Sequence, residues 1–565
     1  MKLLKLELGE QFRSLHKDFN LEFHKLTSKG YSSMMEFQPF CFAGLNGSGK
    51  SNVLEALASI FYHLEFCVAK FRPISFEKHF DRKKSTPDIY KLEYLISNKD
   101  DDHTQDYKSS NLVTIIKKKN EEPKMTIQKY PFDDIEKARL IPFIPPIGDS
   151  TISEGKMYLP DLVVGYSSGE NEILSLPFIK NRLVHLDEYK EAIKDDRDFI
   201  EPETSLVYID EEMSQAVLLA CLIFEDKETL KPLKKELGIL GIQSFRMNLH
   251  NHFIELVNKK ETKKVPILNH IDEIFKKFKK CTSFHFSSNN DVEIITIDFL
   301  IDENTKKAFR EHFDSAFELF RVFQLLYELN NISIHEKTKE EVYKSKGVYT
   351  DGKIPIPELS DKVFYFLDYM ILKKIKGEKE PKELLLREFS DGEHQFIHTM
   401  GISIMLKSKR TLLLLDEPET HFNPGWRAKF IKVLNDSIQS GGANNFLKDV
   451  VLTSHSPFII SDCLPNNVIF FKRDDKTKNI EPKSASSLDF NTYGTSVNII
   501  LDELFGYSQS IGDLSNSILE NIDFDSIKTL EDKKKIKKEL KHLGDSIEKD
   551  LILAKINRID VNKEC

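Results

Sequence analysis

Residues Gln38–Phe66 read QPFCFAGLNGSGKSNVLEALASIFYHLEF. The apolar QPFCFA predicts a buried strand, GLNGSGKS (44–51) matches G-x-x-x-x-G-K-[ST], and the remainder has the period of a helix. Strand, glycine loop and helix in that order are the context this motif needs. Glycines let the backbone wrap phosphates, and the helix start supplies N–H groups and a dipole. Lys50 would neutralise the β- and γ-phosphates of ATP, and Ser51 would ligate Mg²⁺. The ATP-binding candidates are Gly44, Asn46, Gly47, Ser48, Gly49, Lys50, Ser51 and Asn52. A chance glycine loop is the competing reading, and the two flanking elements argue against it.

A second constellation lies far downstream. TLLLLDEPE (411–419) is an apolar strand that would carry two carboxylates to the rim of a sheet. Asp416 would hold Mg²⁺ through water, and Glu417 would orient or deprotonate an attacking water. His455, in VVLTSHSPFII, follows another short strand 39 residues after Asp416 and could reach the γ-phosphate as a switch. Lys50, Glu417 and His455 are the catalytic candidates, and Ser51 and Asp416 the metal candidates.

Two short stretches look alike, YSSGENE (166–172) and FSDGEHQ (389–395). FSDGEHQ opens a helix leading into the leucine strand, with Ser390 only 26 residues before Asp416. YSSGENE precedes VYIDEE, but no strand-end histidine follows that pair. A helix N-cap at a strand exit is its expected role, rather than ATP contact.

The chain has 565 residues, 40% hydrophobic and 30% charged, which predicts several lobes with real cores. A net charge of −9 argues against a basic nucleic-acid coat, although local basic grooves are compatible with it. Six dispersed cysteines form no CxxC pair, which fits free thiols and gives no zinc signature. The charged start lacks a signal-peptide core and no apolar run would cross a bilayer, so a cytoplasmic protein is expected, with no membrane partner. KLLKLELG (2–9) pairs with LEFHKL (21–26) as strands, and LEYLIS (92–97) and NLVTIIKKK (111–119) read as antiparallel strands. Four regions follow: an N-terminal lobe with the phosphate loop (1–212), a mainly helical insertion (213–335), a C-terminal lobe (336–493) and a helical, lysine-rich region (494–565). HEKTKEEVYKSKGVYTDGKIP (335–355) reads as a loop or linker between them.

The order of these motifs resembles ABC-type ATPases, in which a signature loop precedes the Walker B strand. In that family the loop of one subunit covers the γ-phosphate held by the other. The resemblance makes Ser390, Asp391, Gly392, Glu393 and Gln395 the signature acting in trans, with Ser390, Gly392 and Gln395 foremost. KLLKLELGEQFRSL and GLNGSGKSNVLEAL, together with LLLLDEPETHFNP and TSHSP, are similar to the SMC, Rad50 and RecF group. EPETHFNP is nearest to antiphage ATPases related to the OLD proteins, which usually carry a second histidine where this chain has Asn423. YSSGENE, NTYGTSVNIILDELFG (491–506) and HLGDSIEKDLILAKI (542–556) resemble the PtuA family, ATPase subunits of Septu and Septu-bearing retron defence systems.

That resemblance implies an α/β, ABC-type (SMC/RecF-like) P-loop head with a mixed sheet flanked by helices, and a head-to-tail homodimer or higher oligomer around ATP and Mg²⁺. It also implies a separate HNH endonuclease partner (PtuB-like) and, in retron versions, reverse transcriptase with its DNA–RNA product. The chain itself would be an ATPase without nuclease activity, because the acidic stretches after His455, DELFG and DFDS, stand in a helical setting and not as the separated glutamate and DxD set of a nuclease. The glutamine of the ABC Q-loop stays open between Gln105 and Gln128. The alternative is a RecF- or SMC-like DNA-repair ATPase, for which the lysines at 117–119, 276–280 and 533–538 would contact phosphates.

Overall fold

The computed structural model describes residues 1–27, 30, 31, 34, 36–98, 107–132, 137–146, 152–169, 172–197, 205–257, 262–289, 292–346, 354, 355, 357–406, 409–439, 448–474, 476, 477 and 479–559. An antiparallel sheet is built from β1 (Lys2–Leu8), β2 (Phe19–Glu22), β4 (Tyr90–Ser97), β5 (Ser110–Lys117), β6 (Lys124–Lys129) and β7 (Arg139–Ile141), ordered β2-β1-β4-β5-β6-β7. The predicted hairpin partner of β1 thus forms, starting two residues earlier than LEFHKL and ending at Glu22. A seven-stranded sheet joins β3 (Phe40–Ala43), β8 (Leu162–Ser167), β9 (Leu206–Tyr208), β17 (Thr411–Asp416), β18 (Lys448–Thr453), β19 (Val468–Arg473) and β20 (Ile480–Ser484). Its order is β20-β19-β3-β18-β17-β8-β9, parallel except for β20 at the edge.

The parallel strands are buried on both faces, as covered parallel sheets require. In β17 the alternation divides the leucines. Leu412 and Leu414 join a core with β1, β4 and the P-loop helix Lys50–Val68, while Leu413 and Leu415 join a core with the helices on the other face. The P-loop helix lies between two sheets, and most of its residues are buried, which explains why its sequence is apolar almost all round.

The region 213–335 differs from the mainly helical expectation. Besides its helices and β14 (Glu293–Leu300), the strand that VEIITIDFL (292–300) announces in the sequence, it carries β10 (Ile239–Asn251), β11 (Phe253–Val257), β12 (Thr262–Pro266) and β13 (Phe284–Asn289). β10 was illegible because Gln243, Ser244, Arg246 and Asn248 dilute its alternation, and neighbours on both sides hold it in place. One of those neighbours is β15 (Phe364–Lys373), which pairs in turn with β16 (Lys382–Leu385). The sheet β13-β14-β10-β15-β16 therefore spans the boundary expected at residue 335.

The segment expected as a loop at 335–355 begins instead with a helix, Glu336–Lys344. The His335 side chain caps it, and Val342 and Tyr343 are buried. Its buried Lys339 pairs with Asp187, which also accepts from the Tyr343 hydroxyl at 2.9 Å. None of these long-range partners shows in a window of polar residues. Toward the C-terminus the described residues form the helices Val497–Phe505, Asp513–Glu520, Leu530–Leu540 and Ile547–Arg558, with a small core of Leu519, Ile527, Leu540 and Ile556.

A candidate nucleotide site at the strand ends

Parallel strands deliver their functional residues at one rim, the carboxyl edge of the sheet. β3 ends at Ala43 and runs into the phosphate loop, β17 ends at Asp416, β18 ends at Thr453 two residues before His455, and β8 ends at Ser167. Register sets them side by side: Asp416 lies opposite Thr453 on one flank and Ser167 on the other.

The loop has the backbone its glycines permit. Gly44 has φ 145°, and a Cβ there would stand 2.6 Å from the Phe471 carbonyl oxygen. Gly49 has φ 89° and lies against Ile480, Ser14 and Leu15. Lys50 donates to the carbonyls of Gly44 (3.0 Å) and Leu45 (3.1 Å). Burial holds its ammonium below the ordinary value, against the pull of Glu417 and Asp416. The Ser48 hydroxyl oxygen is buried with no hydrogen-bond partner among the described residues. A cation folded back onto carbonyls and an orphaned hydroxyl leave this loop ready to receive phosphate.

Asp416 accepts at a single oxygen from Ser51 (2.8 Å) and Thr453 (2.6 Å). Hydroxyl and carboxylate side by side make an oxygen-only donor pair that fits Mg²⁺, an ion that keeps waters and shares phosphate oxygens. No cluster of three or more His, Cys, Asp or Glu suited to a metal occurs among the described residues. Glu417 sits at φ 46°, and its N–H donates to Thr453 at 3.0 Å. Its carboxylate lies 3.3 Å from His455 Nε2, and this contact, ahead of Lys50, keeps it below the usual carboxylate range. An ionised carboxylate beside an imidazole is suited to orient water.

Ser390 is the N-cap of the helix Asp391–Met405, in a capping box with Glu393. Its N–H donates to Glu393 at 3.0 Å, and Glu393 is paired with Lys373. Ser390, Asp391, Gly392 and Glu393 face an open cleft with His421, Asn423 and Trp426. Asn423 caps the next short helix through Trp426 N–H at 3.0 Å. Gln395 is a different case: it is buried and accepts the His421 N–H at 3.0 Å, so here it braces the loop after β17.

YSSGENE lies beside the acidic strand end. Ser168 N–H donates to the Asp416 carbonyl at 3.2 Å, and its hydroxyl donates to Thr420 at 2.8 Å. A helix starts at Glu172, which fits the strand-exit reading, while Glu170 and Asn171 lie outside the described residues. Gln105 is also outside them, and Gln128 sits within β6 opposite Leu112.

Several site residues escaped sequence reasoning. Thr453 grips Asp416, and Arg473 donates to the Gly47 carbonyl at 3.3 Å from the end of β19. Arg13 holds Glu55 at 2.7 Å, and Ser14 donates to Asn52 at 2.5 Å. Glu419 is buried, accepts from Ser454, and is pushed up to about 7 by that burial. Of these only Thr453 carried a signal, a hydroxyl closing an apolar strand just before the histidine.

Fold and site together define a P-loop nucleotide-binding head. The chain belongs to the AAA ATPase domain family, whose model matches residues 1–460. No curated protein matches it. Among solved structures it is similar to the Smc head domain with a coiled coil and joint derived from Pyrococcus yayanosii, at 12% identity and a TM-score of 0.28, covering 86% of this chain and 98% of that one.

Proposed function

We propose that the chain hydrolyses ATP in an ABC-type, head-to-tail homodimer and uses the cycle to regulate an associated effector. The observation that carries this reading is the meeting of Ser51, Asp416, Thr453, Glu417 and His455 at one rim, while the Ser390 loop opens onto a separate cleft. Phosphates would draw Lys50 away from its two carbonyls. Ser51 and Asp416 would hold Mg²⁺, which would neutralise the charge on the β- and γ-phosphates. Glu417 takes the proton of the attacking water, and His455 steadies Glu417 and senses the γ-phosphate. The partner chain's Ser390 loop closes the site with a hydroxyl and helix-start N–H groups.

The effector we propose is an HNH endonuclease subunit in antiphage defence, within a dimer or larger assembly and, in a retron setting, with reverse transcriptase and its DNA–RNA product. Support comes from YSSGENE and from the stretches at 491–506 and 542–556, which are similar to PtuA-family ATPases. Exposed Leu514, Ile518, Ile547 and Leu551 on the C-terminal helices suit a partner-bearing region. No helix among the described residues is long and apolar enough to cross a membrane, and we propose a cytoplasmic setting. A pull-down from the native host, read by mass spectrometry, tests the assignment. A stoichiometric HNH protein supports it, and recovery with replication and repair proteins replaces it with a RecF-like DNA-binding reading.

A further inference from the structure

A cleft of about 530 Å³ runs along the flank of the P-loop helix, where that helix faces Phe76–Thr86, the helix Glu172–Lys194 and the end of the helix Glu336–Lys344. None of the ATP-site candidates lines it. Its charge is unbalanced. Of the acidic wall residues, Glu55 is held by Arg13 (2.7 Å) and Asp81 by Lys84 (3.5 Å). Lys78, Lys180 and Lys346 also line the cleft, and none of the three has an ion-pair partner among the described residues. Among the described residues Lys180 donates only to the Ser345 carbonyl, and desolvation lowers its ammonium to about 8. His79 Nε2 is buried there with no hydrogen-bond partner among the described residues. Lys180 is half-buried by accessible surface, and an ammonium drawn partly out of water without a carboxylate beside it is a place where an anion gains. Half-buried Tyr62 and Phe80 give the same cleft aromatic surface.

We propose that this cleft is a second nucleotide site. It takes a nucleoside phosphate, with the phosphates on Lys78, Lys180 and Lys346 and the base against Tyr62 and Phe80. Its wall reaches the phosphate loop in two steps: the Lys346 carbonyl accepts from Arg13 at 2.9 Å, and Ser14, next in the chain, donates to Asn52 beside the loop. Occupancy of the cleft therefore acts on the residues that hold the start of the P-loop helix.

Calorimetric titration of the full chain with ADP tests the site by stoichiometry. Two ADP per wild-type chain are expected, one for Lys50→Ala, one for Lys180→Gln and none for the double variant. In the Lys50→Ala background, Lys346→Gln on the exposed rim should weaken the remaining site about tenfold, the loss of one charge-assisted contact. Retained P-loop binding in Lys180→Gln shows that this variant is folded. One ADP per wild-type chain, or binding to Lys50→Ala that Lys180→Gln and Lys346→Gln both leave unchanged, overturns the proposal. Phosphate release is a separate readout, so a chain that binds two ADP without hydrolysing ATP would sink the ATPase reading alone.

Discussion

Glu417 keeps a left-handed backbone, φ 46°, in a residue with a long side chain. Such angles cost about 1–3 kcal/mol and persist where the surroundings enforce them. Here the Thr453 hydroxyl holds the Glu417 N–H, and His455 Nε2 lies 3.3 Å from its carboxylate. Glu417→Gln should retain nucleotide binding while phosphate release falls about 100-fold or more, the usual weight of a general base. Equal rates in variant and wild type would remove Glu417 from the chemistry. Glu419 gives a stability prediction. It titrates at about 7 in the fold against 4.5 when unperturbed, so the unfolded chain releases this proton first. The resulting stabilisation is complete below 4.5 and is lost as pH rises through 7. Glu419→Gln should therefore melt higher than wild type at pH 8, by on the order of 1–3 kcal/mol, with the gap closing by pH 5. A gap that does not change with pH would contradict the burial argument.

At the scale of elements, one loop and one helix start carry the site. Replacing Gly44 with alanine forces a Cβ toward the Phe471 carbonyl, 2.6 Å away and part of the backbone of β19. Backbone cannot swing aside as a side-chain tip can, so Gly44→Ala should lower Tm by several degrees and abolish ATP binding. A variant that binds ATP normally would show that the loop tolerates a shift of β19. The Ser390 helix start separates two roles. As an N-cap alone, Ser390→Ala costs about 1 kcal/mol. As a trans signature, it should also reduce ATP turnover far beyond that modest loss, measured by phosphate release at saturating ATP. Unchanged turnover with a lowered Tm would leave Ser390 a cap and nothing more.

For the whole molecule, the test is complementation. A Lys50→Ala chain and a Ser390→Ala chain should each be inactive. Mixed together, they form heterodimers in which one composite site has Lys50 from one chain and Ser390 from the other. Activity should return to a substantial fraction of wild type on mixing. Mixtures as inactive as their components would mean that each chain's site is complete without the partner's loop.

The sequence alone determined the phosphate loop, the acidic strand end and the strand–loop–helix order that makes them an α/β nucleotide head. Those features are local: glycine spacing, four leucines before Asp416 and a helical period are written in contiguous residues. Tertiary structure alone decided which neighbours complete them. Thr453 reaches Asp416 across 37 residues of chain, and Ser168 meets the same strand end across 248, only because parallel strands bring their carboxyl ends to one edge. The same reason explains the failures in the middle of the chain. β10 is a strand because β14 and β15 bond to its two edges, and the helix at Glu336–Lys344 exists because Asp187 waits for Lys339 and Tyr343. A window of polar residues carries no trace of a partner that lies more than a hundred positions away.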